Sequence, residues 1–309
     1  MIRARRADDD AGIAQVIREV APSWVTSEAG IRHRRVTSRP RARRGDWIAE
    51  REGEVVGWGS GGLETDIERE DVAWVSVMVR PAWRGRGIGA ALYEPVEAHL
   101  LGIGAARFLT EVDDQPVART FAERRGFRHT MTRRLSSLDP RTVDPRLLDA
   151  LAAEKAEEGF TLAPFAAFRD QPELIHAADL EASLDEPADE PLTDLPFDEW
   201  LEHSWANPDL SLEGSFVVVH EGRPVTIAFL QVDVEGARAG NGFTGTMRSY
   251  RGRGLARLAK LASIAWLREQ GVTLLVTQND ATNAPMLAVN TRLGYRPFAT
   301  WFSYVKDLP

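Results

Sequence analysis

Apolar and polar positions follow one programme along the first part of the chain. Ile2 to Ala7 reads as an opening strand. Ile13, Val16, Ile17 and Val20 then recur at helical spacing behind Asp9 and Asp10, either of which can cap a helix start. Trp47 to Arg51 and Val55 to Gly59 bracket Glu52-Gly53-Glu54, the pattern of a hairpin. Val72 to Val79 is a β-branched run stopped at Pro81. Ile88, Leu92 and Val96 mark one face of a following helix, which Pro95 should kink because it has no backbone N–H to donate. Phe108 to Val112 predicts another strand and Val117 to Arg125 a helix. Gly126 is its stop, and Phe127 to Leu138 supplies the last strands.

The same order then returns. Phe160 to Ala163 opens it, and Phe216 to His220 and Val225 to Val232 flank the turn Glu221-Gly222-Arg223. Gly242 to Met247 precedes a helix striped by Leu255, Leu258, Ala262 and Trp266. Leu274 to Thr277 is the next strand, Pro285 to Leu293 the next helix, and Gly294 ends it. Three landmarks repeat in one register: Glu52-Gly53 as Glu221-Gly222, Arg84-Gly85-Arg86-Gly87-Ile88-Gly89 as Arg251-Gly252-Arg253-Gly254-Leu255-Ala256, and Gly126-Phe127 as Gly294-Tyr295. The chain therefore reads as one domain copied in tandem, residues 1–138 and 160–309. Residues 139–159 form a Pro- and Asp-punctuated linker with a helix from about Pro145 to Glu158.

Composition narrows the chemistry. A chain of 309 residues suits two domains, each able to bury its own core. A formal charge of −8 argues against a nucleic-acid partner, which demands a basic surface. With no cysteine, thiol nucleophiles, disulfides and Cys-based metal sites are excluded, and six scattered histidines form no metal-binding pair. There is no apolar leader-like opening and no apolar run of about 18 residues, so a cytoplasmic location without membrane contact is expected.

The repeated glycine motif carries the functional signal. A strand runs into a Gly-rich turn that opens a helix, so backbone N–H groups converge beside the positive end of the helix dipole. That is a pyrophosphate seat, to which Arg84, Arg86, Arg251 and Arg253 add charge. A Walker A loop would need Gly-Lys-Ser/Thr, and a Rossmann turn would need a third glycine where Ala90 and Arg257 stand. The segments Val77 to Gly89 and Thr244 to Ala256 instead resemble the acetyl-CoA signature of the GNAT superfamily of N-acetyltransferases. The tandem arrangement is similar to the double-GNAT group of mycothiol synthase-like proteins.

The resemblance implies an α/β fold of two GNAT-like domains, each a mixed central sheet flanked by helices. It also implies acetyl-CoA as cofactor and direct transfer of an acetyl group to an amine. Main-chain groups of Val77, Val79, Thr244 and Thr246 would face the pantetheine arm. Amides of Arg84, Gly85, Arg86, Gly87, Ile88 and Gly89, and of Arg251, Gly252, Arg253, Gly254, Leu255 and Ala256, would bind the pyrophosphate. Asn283 falls at the family's pantetheine-contacting asparagine, a position that Gln115 takes in the first copy. Family members often place a tyrosine, as acid for the departing thiolate, one turn before the helix-ending glycine. Here Ala122 and Asn290 stand there. A thiolate can leave unaided, since thiols ionise near pH 8.5.

Asn283 favours the second copy as catalyst; the alternative is a catalytically silent tandem acyl-CoA sensor or scaffold. From Asp170 to Gly222 there is no Lys or Arg, while Asp179, Glu181, Asp185, Glu186, Asp189, Glu190, Asp194, Asp198, Glu199 and Glu202 accumulate. Phe197, Trp200, Leu201 and Trp205 share a helical face in this stretch. An acidic, aromatic-edged wall would attract a cationic small-molecule amine, although a solvated acidic insert has the same pattern. The amine must lose a proton, and Glu202, Asp198 and Asp280 in the second copy and Glu111 in the first are candidate bases. The first copy instead crowds Arg32, His33, Arg34, Arg35, Arg39, Arg41, Arg43 and Arg44 together. These fit an acidic ligand, a contact with the acidic segment, a nucleic acid or a solvated loop.

Overall fold

A computed structural model of the chain describes residues 1–183 and 195–308. They fall into two compact units. Unit 1 takes Met1–Arg133 and the stretch from Ala299 onward; unit 2 takes the described residues between Arg134 and Phe298.

Unit 1 runs β1 (Ile2–Ala4), α1 (Asp10–Val20), α2 (Glu28–Val36), β2 (Gly45–Arg51), β3 (Glu54–Leu63), β4 (Val72–Val79), α3 (Ile88–Gly102), β5 (Arg107–Asp113) and α4 (Pro116–Glu123), and β6 (Arg128–Leu138) begins in it. Strands β1 to β4 pair antiparallel in sequence order, and β4 pairs parallel with β5. Strand alternation gives the sheet two covered faces. Ile48 and Trp58 pack with Ile13, Ile17 and Ile31 of α1 and α2, whereas Ala49 and Val56 pack with Ile88 and Leu92 of α3. Helix α3 is one element with Pro95 inside it. The chain's last strand lies antiparallel on β5, from Trp301 opposite Asp113 to Asp307 opposite Arg107.

The arginine-rich stretch is not a simple solvated loop. It forms α2 and a short turn at Pro40–Ala42, and its cations are taken up inside unit 1. Arg35 bonds the buried Asp10 at 3.0 Å, Arg32 bonds Glu28 at 2.6 Å, Arg44 bonds Asp46 at 2.9 Å, and Arg39 pairs with Asp66. Burial works to raise the Asp10 and Asp46 carboxyls. The guanidinium groups of Arg35 and Arg5 around Asp10, and of Arg44 and Arg5 around Asp46, outweigh it and hold both below the usual range.

Unit 2 continues with α5 (Arg146–Glu157), β7 (Phe160–Pro164), α6 (Pro172–Ser183), α7 (Phe197–Trp200), β8 (Phe216–His220), β9 (Arg223–Asp233), β10 (Arg238–Thr246), α8 (Leu255–Glu269), β11 (Leu274–Asp280), α9 (Ala284–Leu293) and the start of β12 (Arg296–Asp307). Its strands pair in the order β7-β8-β9-β10-β11, parallel only between β10 and β11. Helix α5 lies within residues 139–159, which belong to unit 2, and Leu151 joins that unit's core. Helix α7 widens into a π-helix over Leu201–Trp205, and Trp200 stacks on Phe197 and Trp205. Asp185, Glu186, Asp189, Glu190 and Asp194 of the acidic segment lie outside the described residues. No described helix is long and apolar enough to cross a membrane.

Candidate functional site

The glycine loops have the same construction in both units. After β4 comes a 3-10 turn at Pro81–Trp83, and after β10 one at Arg248–Tyr250. Gly85 and Gly87 then sit at φ of +73° and +79°, and Gly252 and Gly254 at +78° and +79°. Side chains rarely adopt these angles, so the turn itself demands glycine. A Cβ added at Gly85, Gly87 or Gly252 would meet nothing within 4 Å, which leaves that side of the loop open. Gly87 and Gly254 cap α3 and α8 without any side-chain bond, so the first-turn N–H groups keep their capacity for an anion. The first arginine of each loop anchors the strand end: Arg84 Nε donates to Val79 O at 3.0 Å and Arg251 Nε to Thr246 O at 2.9 Å. The second lies over an aromatic ring, Arg86 on Trp83 at 4.9 Å and Arg253 on Tyr250 at 5.8 Å.

Beside each loop the parallel strands part. β4 pairs with β5 only over Val72–Trp74, and β10 with β11 only over Arg238–Asn241. Beyond those points Val75–Val79 stays paired to β3 alone, and Thr244 to Thr246 to β9 alone. Val77, Val79, Thr244 and Thr246 therefore lie on half-paired backbone. In β10 the departure coincides with a register shift between Asn241 and Thr244. Asn241 Nδ2 and Thr244 Oγ1 are buried there without a hydrogen-bond partner. Open loops, free helix N-termini and orphaned donors along a splayed strand fit a long co-substrate with a diphosphate at one end and an amide-bearing arm.

A polar cluster lines the splay in unit 2. Tyr295 donates to Asn241 Oδ1 at 2.5 Å, and burial pushes its phenol far above the ordinary range. Lys260 Nζ donates to Asn290 Oδ1 at 2.8 Å, and Asn290 Nδ2 to Asn279 Oδ1 at 2.6 Å. Asn283 caps α9, its side-chain oxygen accepting from Met286 N at 3.2 Å. Asp280 is buried, and its carboxylate accepts from the backbone N of Thr282 at 2.7 Å and from that residue's hydroxyl. Asp198 and Glu202 are exposed, and Glu111 pairs with Arg133 at 3.0 Å. Asp198 and Glu202 thus lie exposed on one helical stretch, Asp280 ends β11, and Glu111 belongs to β5 of unit 1.

A pocket of about 210 Å³ lies beside the β10 irregularity. Asp179 of α6, His203 and Ser204 of the π-helix, Gln231 of β9, and Gly242 and Phe243 of β10 line it. Burial pushes the Asp179 carboxyl up, partly offset by Trp200 Nε1, which donates to it at 2.8 Å. His203 and Ser204 both lie in the π turn. Asp179 was legible only as one acid among many. Lys260 stands on the side of α8 away from the stripe of Leu255, Leu258, Ala262 and Trp266, so that spacing does not mark it as buried.

Unit 1 differs at the matching place. Phe121 of α4 would lie 3.4 Å from a Cβ at Gly89, and Arg125 stacks on Phe121 at 3.5 Å. Tyr93 packs edge-on against Phe121 and Phe127. Aromatic side chains fill the ground between α3 and α4 that polar groups hold between α8 and α9. Among the described residues no group of three or more His, Asp or Glu could hold a metal ion.

The chain is 27% identical over 256 residues to a mycothiol acetyltransferase from Nocardia farcinica, covering 81% of this chain and 78% of that one. It is also 27% identical over 265 residues to one from Saccharomonospora viridis, covering 82% and 80%. Its fold matches a tandem GNAT protein from the clavulanic acid biosynthesis pathway, with TM-score 0.72, 22% identity and coverage of 99% and 98%. It also matches a GCN5-related N-acetyltransferase from Sphaerobacter thermophilus, with TM-score 0.68, 18% identity and coverage of 99% and 95%. The model of the acetyltransferase (GNAT) family matches twice, over residues 14–127 and 177–295, once for each glycine loop. A chain with two such matches, a mixed sheet flanked by helices in each unit and the same splayed cleft in both belongs to the acetyltransferase (GNAT) family.

Proposed function

We propose that the protein is an acetyl-CoA-dependent N-acetyltransferase that acetylates a small amine in unit 2. The observation that carries this reading is the unit 2 pocket, which joins a half-buried carboxylate, Asp179, to the irregular segment of β10. When bound, acetyl-CoA supplies an activated acetyl thioester. Amides of Arg251 to Ala256 and the N-terminus of α8 hold its diphosphate, and half-paired backbone of Thr244 and Thr246 aligns its arm. Asp179 attracts the ammonium form of the acceptor, then takes a proton so that a neutral amine attacks. Trp200 Nε1 fixes that carboxylate in place. Unit 1 keeps the loop of Arg84 to Gly89 and the segment of Val77 and Val79, which suits it to binding acetyl-CoA. Its Phe121–Arg125 packing favours unit 2 as the catalyst.

The test is release of CoA thiol from acetyl-CoA across a panel of primary amines, including the amine that mycothiol acetyltransferases use. Amine-dependent release that Asp179→Asn abolishes is expected. CoA binding with no release for any amine would leave the chain a silent acyl-CoA binder.

A further inference from the structure

Lys260 is a titratable side chain that the mechanism above leaves unused. The chain's lysines are Lys155, Lys260 and Lys306; every other permanent side-chain cation is arginine. Lys155 contacts Glu154 at 2.7 Å and Glu158 at 2.6 Å, and Lys306 contacts Glu97 at 2.6 Å. Lys260 is 1% exposed and has no carboxylate partner among the described residues. Its Nζ donates to Asn290 and lies 5.2 Å from the centre of the Tyr295 ring. With only neutral neighbours, burial pushes its ammonium down to about 7. Arginine in the same place could not give up a proton; lysine can.

Its position gives that proton a destination. Asn290 stands one turn before Gly294, where the sequence offers no acid for the departing sulfur. Lys260 occupies the space beside it from α8. Its cluster reaches the splay on two sides, through Asn290 to Asn279 of β11 and across Tyr295 to Asn241 of β10. Asn241 is the last β10 residue paired to β11, so the cluster sits where the two strands separate. The corresponding residue of unit 1 is Tyr93, which bonds Glu97 at 2.9 Å instead.

We propose that Lys260 is the proton donor to the leaving sulfur in unit 2, with Asn290 holding its Nζ toward the splay. As the carbon–sulfur bond breaks, sulfur keeps the bonding pair and takes a proton from Nζ. Lys260 is left as a neutral amine and regains a proton from solvent after the products leave. The transfer runs downhill, since a free thiol ionises near 8.5.

This rests on the acetyltransferase reading, so the test includes a measurement that needs no turnover. Three lysines labelled with carbon-13 are titrated by NMR in the free protein, with CoA, and with desulfo-CoA. The resonance lost in Lys260→Met should titrate near neutral pH, and CoA should raise its midpoint measurably, because an ionising thiol and the charged amine stabilise one another. Desulfo-CoA should leave the midpoint where it was. An ordinary lysine titration, or equal responses to the two ligands, would overturn the proposal, even if Lys260→Met fails to fold. In turnover, Lys260→Met should lower kcat about 100-fold with KM for acetyl-CoA little changed, and remove the alkaline limb of kcat. Adding Asn290→Tyr should restore part of the loss. A wild-type protein that turns over while Lys260→Met matches its kcat and pH profile would sink Lys260 alone. A wild-type protein that transfers acetyl to no amine, yet shows the CoA-specific midpoint shift, would sink the acetyltransferase reading and leave Lys260 only as a group that senses the bound sulfur.

Discussion

Asp179 carries opposite demands from folding and from chemistry. Burial raises its pKa, so between its unfolded and folded values the native state holds the extra proton. Stability therefore falls as pH rises through that window, and the ionised form that could accept a proton is the one that destabilises the fold. Asp179→Asn keeps an acceptor for Trp200 Nε1 and removes a half-buried charge. It should lower kcat about 100-fold or more while leaving the melting temperature unchanged or higher, read by CoA release and thermal unfolding. A variant that loses activity and stability together would mark Asp179 as structural. The sequence shows this residue as one of several acids between Asp170 and Gly222, and nothing in its spacing separates it from Asp198 or Glu202. The distinction comes from burial: Asp179 faces inward beside Trp200, whereas Asp198 and Glu202 face solvent.

At the scale of elements, the landmarks that repeat are those where the backbone leaves ordinary φ. Glu52 and Gly53 have φ of 54° and 80°, and Glu221 and Gly222 of 50° and 78°, so both hairpins need a residue tolerant of left-handed angles. The loop glycines are constrained in the same way, which is why the tandem copy is readable although most side chains differ. Legibility stops where geometry depends on non-local pairing. The sequence gives no sign that β10 shifts register after Asn241, or that α7 widens into a π turn, because each is set by packing against another element. Gly254→Val should strain the loop by about 1–3 kcal/mol and crowd the face that would hold the diphosphate, with turnover lost. Gly87→Val should weaken CoA binding in unit 1 or its stability and leave turnover largely intact. Calorimetric CoA titration of both variants beside activity assays checks this, and the reverse pattern would move the catalytic centre to unit 1.

Over the whole molecule, chain order and fold part company at the C-terminus. Local pattern places the last strand after α9, in line with the second copy, but its register belongs to β5 of unit 1. Pairing across so many residues of chain leaves no trace in periodicity, since hydrophobic alternation records which face of a strand is buried and not which neighbour it meets. The contribution of this strand to unit 1 is specific. Tyr304 is 1% exposed, packs in the cluster with Phe108 and Phe127, and donates to Glu123 at 3.1 Å. Lys306 reaches Glu97 of α3, and Arg107 and Arg128 both bond Asp307. Without the strand, β5 would present a bare edge and the cluster would lose its largest contribution from outside Met1–Arg133. Tyr304→Ala should therefore cost about 3–5 kcal/mol, as for other large aromatic deletions. Hydrogen exchange should localise the damage: faster exchange in β5 and α3, with β9 and β10 unchanged. Equal acceleration in the strands of unit 2 would show that the two units do not unfold separately, and no acceleration in β5 would show that the last strand is dispensable to unit 1.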